Sequence, residues 1–187
     1  MIIIKKITSK ANSSTVINNL NLNRVHEIVC SIYDKGTIEL LCDKNIASKY
    51  VLRDLENACG KYFICKSKEE CVNCAKEYDG RFSLAVSCFA YSNIVLLGEV
   101  CLTKNGVTIV AGNAKDIHHR KVYEKAIINT TTTLDDNSFW EVDGVEDILG
   151  YVVKHNLYDV IVEFVVYDRP VGVNNEKVLI VELRSEY

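Results

Sequence analysis

Along this chain, stretches in which hydrophobic and polar positions alternate with period two are interleaved with stretches that repeat at the i, i+3, i+4 spacing of a helix. Residues 2–7 read as a short strand, and the Ser- and Asn-rich run 9–23 predicts a flexible loop or arm. Residues 25–33 and 37–42 flank Asp34-Lys35-Gly36 and predict a hairpin, with Ile28, Cys30 and Ile32 on the same core-facing side as Ile38, Leu40 and Cys42. Ile46, Ala47, Tyr50, Val51, Leu55 and Ala58 follow the helical spacing, with Gly60 placed as a C-terminal cap, and predict a helix. A strand over 61–65 leads to Ser67, which with Glu70 has the spacing of a capping box and opens a second helix reaching Tyr78 before Gly80. Residues 82–90, 94–103 and 107–111 read as strands of an antiparallel meander, the last two joined through Asn105-Gly106.

A third helix is predicted over 115–128, burying Val122, Ala126 and Ile127. A fourth starts at Asp143, with Glu146 at capping-box spacing, and buries Val145, Ile148, Leu149, Val152 and Val153. Strands over 159–168 and 177–185 follow, joined by the loop 169–176 that carries the single proline. These elements imply an α+β fold: one mixed, mainly antiparallel sheet with about four helices, in a single domain over residues 1–187, with a local parallel βαβ unit admitted over 37–90.

Composition narrows the class. With 187 residues, 48% hydrophobic and 25% charged, and only 9 glycines, the chain can bury a core and is not a disordered segment. Every apolar run is broken by a charge or a glycine well short of the roughly 20 residues of a membrane span. The opening Ile2-Ile3-Ile4 precedes Lys5-Lys6, the reverse of a secretory signal, so the expected location is the cytoplasm, with no membrane partner. Of the eight cysteines, Cys30, Cys42, Cys88 and Cys101 sit inside apolar runs, where a free thiol behaves as a small hydrophobe, and reduced thiols are expected. The formal net charge of -3 hides a division: residues 134–187 carry 12 acidic and 4 basic side chains, net -8, against net +5 for residues 1–133. Such asymmetry admits a basic face for nucleic acid, although solvated surface is its commoner meaning.

Three constellations carry candidate chemistry. Cys59, Cys65, Cys71 and Cys74 supply four thiols, the number in a tetrahedral zinc site, and the last two have C-x2-C spacing. Five residues separate each of the other neighbours, which departs from the paired knuckles of such sites, so no bound zinc is expected. His118 and His119 lie at the start of the third helix with Lys115, Arg120, Lys121 and Lys125, an anion-binding or acid–base group, but adjacent helical residues point about 100° apart. The last hairpin gives the sharpest expectation. Closing Asp168 on Lys177 makes paired residue numbers sum to 345, which sets Val160, Val162, Phe164 and Val166 on an apolar face and puts Glu163 directly opposite Glu182 on the other, beside Arg184 and Tyr167. Like charges in register require a cation, a proton or Arg184 to relieve them, and a carboxylate pair is also a donor set for a divalent cation or for acid–base work.

Phosphate loops of the G-x-x-x-x-G-K-S/T and G-x-G-x-x-G types are absent, as are the G-x-S-x-G elbow and H-E-x-x-H. Without a complete catalytic constellation, the sequence reads first as a non-catalytic intracellular interaction module: a subunit of a protein or protein–nucleic-acid assembly, or a self-associating protein, whose last hairpin docks a partner or a second copy. A metal-dependent hydrolase or nuclease built on Glu163 and Glu182, with His118 or His119 assisting, is the alternative. A third reading is an anion or nucleic-acid binder acting through the basic third helix.

Overall fold

The computed structural model describes residues 6–7, 9–56, 61–91, 93–104, 106–112 and 142–185. They form two antiparallel four-stranded sheets and four α-helices, an α+β fold as the hydrophobic pattern predicts. Every pairing between the named strands is antiparallel, so the parallel unit admitted over 37–90 does not form. Where one sheet in one domain was expected, the chain divides into two compact units, one comprising residues 1–8, 12–24 and 93–187 and the other residues 9–11 and 25–92.

In the second of these units the sheet has the order β1 (Glu27–Cys30), β4 (Phe82–Val86), β2 (Tyr50–Asp54), β3 (Tyr62–Cys65). Asp34 is not a hairpin turn but the N-cap of α2 (Lys35–Lys44): its carboxylate accepts from the Gly36 and Thr37 amides at 3.0 and 3.4 Å and from the Thr37 hydroxyl at 2.7 Å. With the cap in place, Ile38, Leu41 and Cys42 bury one helical face, while Ile32 and Leu40, expected in a strand core, are exposed. The helix predicted from Ile46 onward is replaced by β2, in which Tyr50, Leu52 and Asp54 are buried in alternation between two neighbouring strands, and Ile46 is fully exposed. α3 (Lys68–Glu77) begins as predicted, the Ser67 hydroxyl accepting from the Glu70 amide at 3.1 Å, and the Glu70 carboxylate accepts from the amide of Lys66.

In the other unit the sheet order is β6 (Gly106–Gly112), β5 (Ile94–Thr103), β7 (Val160–Val171), β8 (Glu176–Ser185). α4 (Val145–Lys154) lays Val145, Ile148, Leu149 and Val152 on one face, against Leu96, Val100, Val162, Phe164, Val166, Ile180 and Leu183. It starts one residue after Gly144 and has no side-chain cap, so the Asp143–Glu146 box does not form, and Val153 is exposed. The run 9–23, expected as a loop, holds α1 (Lys10–Asn19), because Ser13 and Ile17 fall one turn apart on a face that joins this core with Val16 and Leu20 beside them.

α1 and the residues after it also close an edge. β8 is the last strand of its sheet, yet its Leu183 amide donates to the Ser13 hydroxyl at 2.7 Å and its Ile180 amide to the Asn23 carbonyl at 2.8 Å. Asn23 is fully buried and clasps the β7–β8 hairpin. Its amide nitrogen donates to the carbonyls of Val171, Glu176 and Val178 at 3.0, 3.2 and 2.8 Å, and its side-chain oxygen accepts from the Asn174 amide at 2.9 Å. The chain turns there through Gly172, at φ +76°, where a Cβ would come within 2.6 Å of both Arg24 O and Asn23 Oδ1.

Candidate functional site

The hairpin of β7 and β8 follows the predicted register for its first four pairs, from Val160 opposite Ser185 to Glu163 opposite Glu182. A bulge then intervenes, so that Phe164 pairs with Ile180 rather than Val181, and Val166 with Val178. The bulge turns Ile180 and Val178 inward, onto the α4 side, where the unbroken register would have placed Val181 and Leu179. It leaves Glu182 on the opposite face.

That opposite face is laid out in cross-strand rows. Glu163 is in register with Glu182 on one side and with Glu99 of β5 on the other, so three carboxylates from three strands stand side by side, with Val110 of β6 next in line. The adjoining row toward the end of the hairpin is Thr108, Cys101, Ile161 and Arg184. Opposed like charges are unfavourable across strands. Arg184 supplies the relief: its guanidinium forms an ion pair with Glu99 across β7, both side chains being about one-third exposed. Three carboxylates against one guanidinium leave the row a formal charge of -2. On the other side of the row, Val165, Tyr167 and Leu179 are buried, each at most 2% exposed.

The backbone that carries the row is held close to its neighbour. Gly98, just before Glu99, faces Ala111, and a Cβ there would lie 2.0 Å from the Val110 carbonyl oxygen. Only glycine admits this approach of β6 to β5.

Two expectations about the hairpin are thereby corrected. Tyr167 is not available to a partner, because it is fully buried. The edge of β8 is not open for strand addition at Ile180 or Leu183, whose amides are taken within the chain. Glu163, Glu182 and Arg184 are brought together as the sequence suggested. Glu99 was missed, although its signal is plain in retrospect: it is the one charge in the apolar strand 94–103, at an outward position of the alternation. Lys115, His118, His119, Arg120, Lys121, Lys125 and Cys59 lie outside the described residues.

A second polar group in the same unit joins α4 to the hairpin. The Tyr151 hydroxyl accepts from the Asn23 amide at 2.7 Å, and burial pushes its phenol well above the ordinary range. Its ring stacks on His155 with centroids 4.3 Å apart, and burial together with Lys154 pushes the imidazole of His155 down, against the opposing pull of Glu176. Lys154 binds Glu176 at 2.8 Å.

Among the described residues no group of three or more His, Cys, Asp and Glu side chains is arranged to hold a metal ion by itself, and no helix is long and apolar enough to cross a membrane.

No family model and no curated protein matches this sequence. Solved structures do match in fold. One is an N5-carboxyaminoimidazole synthase from Aspergillus clavatus, in complex with ADP and 5-aminoimidazole ribonucleotide: 12% identity, TM-score 0.55, covering 98% of this chain and 46% of that one. Another is the macrocyclase MdnC of Microcystis aeruginosa bound with its precursor peptide MdnA, at 11% identity and TM-score 0.53, covering 95% and 52%. A third is a D-alanine–D-alanine ligase from Coxiella burnetii, at 17% and 0.50, covering 94% and 47%. The chain thus spans about half the length of these structures. These neighbours, a synthase, a macrocyclase and a ligase, are enzymes, and they overturn the reading of the chain as a non-catalytic interaction module: its architecture is one used by enzymes. At these identities the likeness is one of fold.

Proposed function

We propose that this chain contributes the nucleotide-binding part of an ATP-dependent ligase, with Glu163 and Glu182 holding the divalent cation that accompanies the polyphosphate. The observation that carries the reading is the carboxylate row on the outer face of β5, β7 and β8, in a chain with the fold of ligases one of which was solved with ADP. A nucleotide di- or triphosphate brings excess negative charge, and a divalent cation shared between it and the row offsets part of the repulsion between the two. Half-exposed carboxylates on strands are also well suited to the task, since a packed sheet fixes their spacing better than a loop does.

Equilibrium binding of a fluorescent ADP analogue, with and without magnesium, tests the reading. Binding is expected to need magnesium and to weaken at least about tenfold in E163Q and E182Q, the loss of one charge-assisted ligand being worth about 1.5–3 kcal/mol. Nucleotide binding that ignores both magnesium and the two substitutions would overturn it, as would no binding at all.

A further inference from the structure

The edge of β8 is closed from within the chain, whereas the edge formed by β3 in the other unit is not. β3 (Tyr62–Cys65) has β2 on one side and, among the described residues, no strand on the other. The Asp54 amide donates to the Lys61 carbonyl at 3.0 Å, which makes those two a hydrogen-bonded pair. Bonded and non-bonded pairs alternate along an antiparallel ladder, so the backbone N–H and C=O groups of Tyr62 and Ile64 point away from β2, along the free edge. At the next such position, Lys66, the amide donates to the Glu70 carboxylate at 2.6 Å, and the edge is closed there by the chain itself.

The side chains along the open stretch are apolar and exposed: Tyr62 60%, Phe63 40% and Ile64 53%. Tyr62 and Ile64 share one face, and Phe63 lies on the other, where its ring meets Tyr78 edge-on at 6.5 Å. Cys65 ends the run by joining the core that holds Cys71, with Cys74 packed against it.

This edge is complementary to itself. If β3 of a second copy adds antiparallel with paired residue numbers summing to 126, Tyr62 faces Ile64 of the second copy and Ile64 faces Tyr62 of the second copy, closing four main-chain hydrogen bonds. Both pairs are aromatic against β-branched, a favourable cross-strand combination. Phe63 then lies opposite Phe63 of the second copy in a non-hydrogen-bonded pair, where Cα atoms approach to about 4.5 Å. A sum of 128 would set Tyr62 against Lys66, whose amide is already taken, and a sum of 124 would carry Ile64 past the start of the strand. The charges agree with the same register. Lys61 of the second copy falls opposite Cys65, on the side of α3 and one residue from the Lys66 amide that holds the Glu70 carboxylate, so each copy offers an exposed ammonium to the exposed Glu70 of the other.

We propose that the chain forms a two-fold dimer by pairing β3 with β3 of a second copy, giving one eight-stranded antiparallel sheet with α3 of both copies on the same face. None of the residues involved belongs to the carboxylate row, and the inference stands apart from the ligase reading. With aromatic side chains of about 150–250 Å², the three exposed residues offer roughly 300 Å² per copy, which is small for a stable interface. The dimer is therefore a weak one, with a dissociation constant on the order of 10–100 μM.

Sedimentation of the full chain at concentrations up to about 0.5 mM tests this, since the weight-average mass should rise from that of one chain toward twice it. Ile64→Lys, at a half-exposed position, should weaken the dimer at least tenfold, and Lys61→Glu, which sets a carboxylate against Glu70, by about fivefold. Far-UV circular dichroism checks that both variants are folded. Cross-linking reads the register directly: oxidised Phe63→Cys should give a dimer joined through residue 63, identified by mass spectrometry. Tyr62→Cys should link to its own copy at least tenfold more slowly, because residues two places apart across the ladder are about 7–8 Å from each other, too far for a disulfide. A chain that stays monomeric throughout would overturn the proposal and leave the edge to a strand from another protein. So would a dimer that Ile64→Lys or Lys61→Glu leaves unchanged, or Phe63→Cys linking no faster than Tyr62→Cys.

Discussion

Substituting Asn23 isolates what the clasp on the β7–β8 hairpin contributes. In Asn23→Ala the carbonyls of Val171 and Val178, both in buried hydrogen bonds to the amide nitrogen, lose their donor, and Glu176 O and the Asn174 amide lose a partner nearer solvent. A buried acceptor left unmade costs about 1–3 kcal/mol, and water can serve the outer two, so the loss is about 2–6 kcal/mol. Against a total stability of about 5–15 kcal/mol that is a large fraction. Because the chain has two compact units, a single unfolding midpoint would mix them, and amide hydrogen exchange is the better assay. Protection of the Ile180 and Leu183 amides is expected to fall by the full amount. Asn23→Asp keeps an oxygen for Asn174 but turns a carboxylate toward three carbonyls, and should be no better than alanine. A loss below about 1 kcal/mol in the alanine variant, or an aspartate variant as stable as wild type, would refute the donor argument.

Other outcomes follow from the same geometry. Gly98→Ala puts a methyl group 2.0 Å from the Val110 carbonyl oxygen, so β6 must shift from β5, and amide hydrogen exchange in β5 and β7 should show a loss of about 3 kcal/mol or more. A double-mutant cycle of Arg184→Met and Glu99→Gln should give a coupling of only about 0.5–1 kcal/mol, since both groups are about one-third exposed and solvent screens them; Glu99→Gln should partly restore the stability that Arg184→Met removes, because it takes one charge from the row. His155 has its pKa depressed in the folded state by burial and Lys154, so the unfolded chain binds the proton more tightly. Its contribution is complete above the unfolded value of 6.5 and is lost as pH falls from there toward the lower folded value. Denaturant midpoints between pH 8 and pH 5 should decline less in His155→Gln, and an unchanged decline would sink that attribution.

Much of the candidate site was legible because it lies on long strands. In 94–103 and 160–166 the alternation runs far enough to fix which side chains face α4, whereas Glu163 falls opposite Glu182 as counted only because two register shifts compensate: the hairpin closes at Val171 and Glu176 and not at Asp168 and Lys177. The count failed beyond Glu182 because nothing local marks Val181 as the extra residue of a bulge. The segment 25–58 was misread for a different reason. Ile38, Leu40 and Cys42 alternate as a strand would, but Ile38, Leu41 and Cys42 also fit a helix, and the carboxylate of Asp34 decides between them by capping. Tyr50, Val51 and Leu55 fit a helix equally well on spacing alone, yet β2 lies between two partners and is β-branched or aromatic at its first two positions.

The discontinuity of one unit has a consequence for the order of events during synthesis. Ser13 and Asn23 find their partners at Leu183 and Val171–Val178, some 150 to 170 residues later in the chain. As the chain emerges from the ribosome, residues 25–92 meet all the strands of their own sheet within a short stretch and are free to fold while translation continues. α1 and Asn23 must wait, with Ile17 and Leu22 uncovered, until β7 and β8 have been made, which leaves this segment open to chaperones for longer than the strands of 25–92.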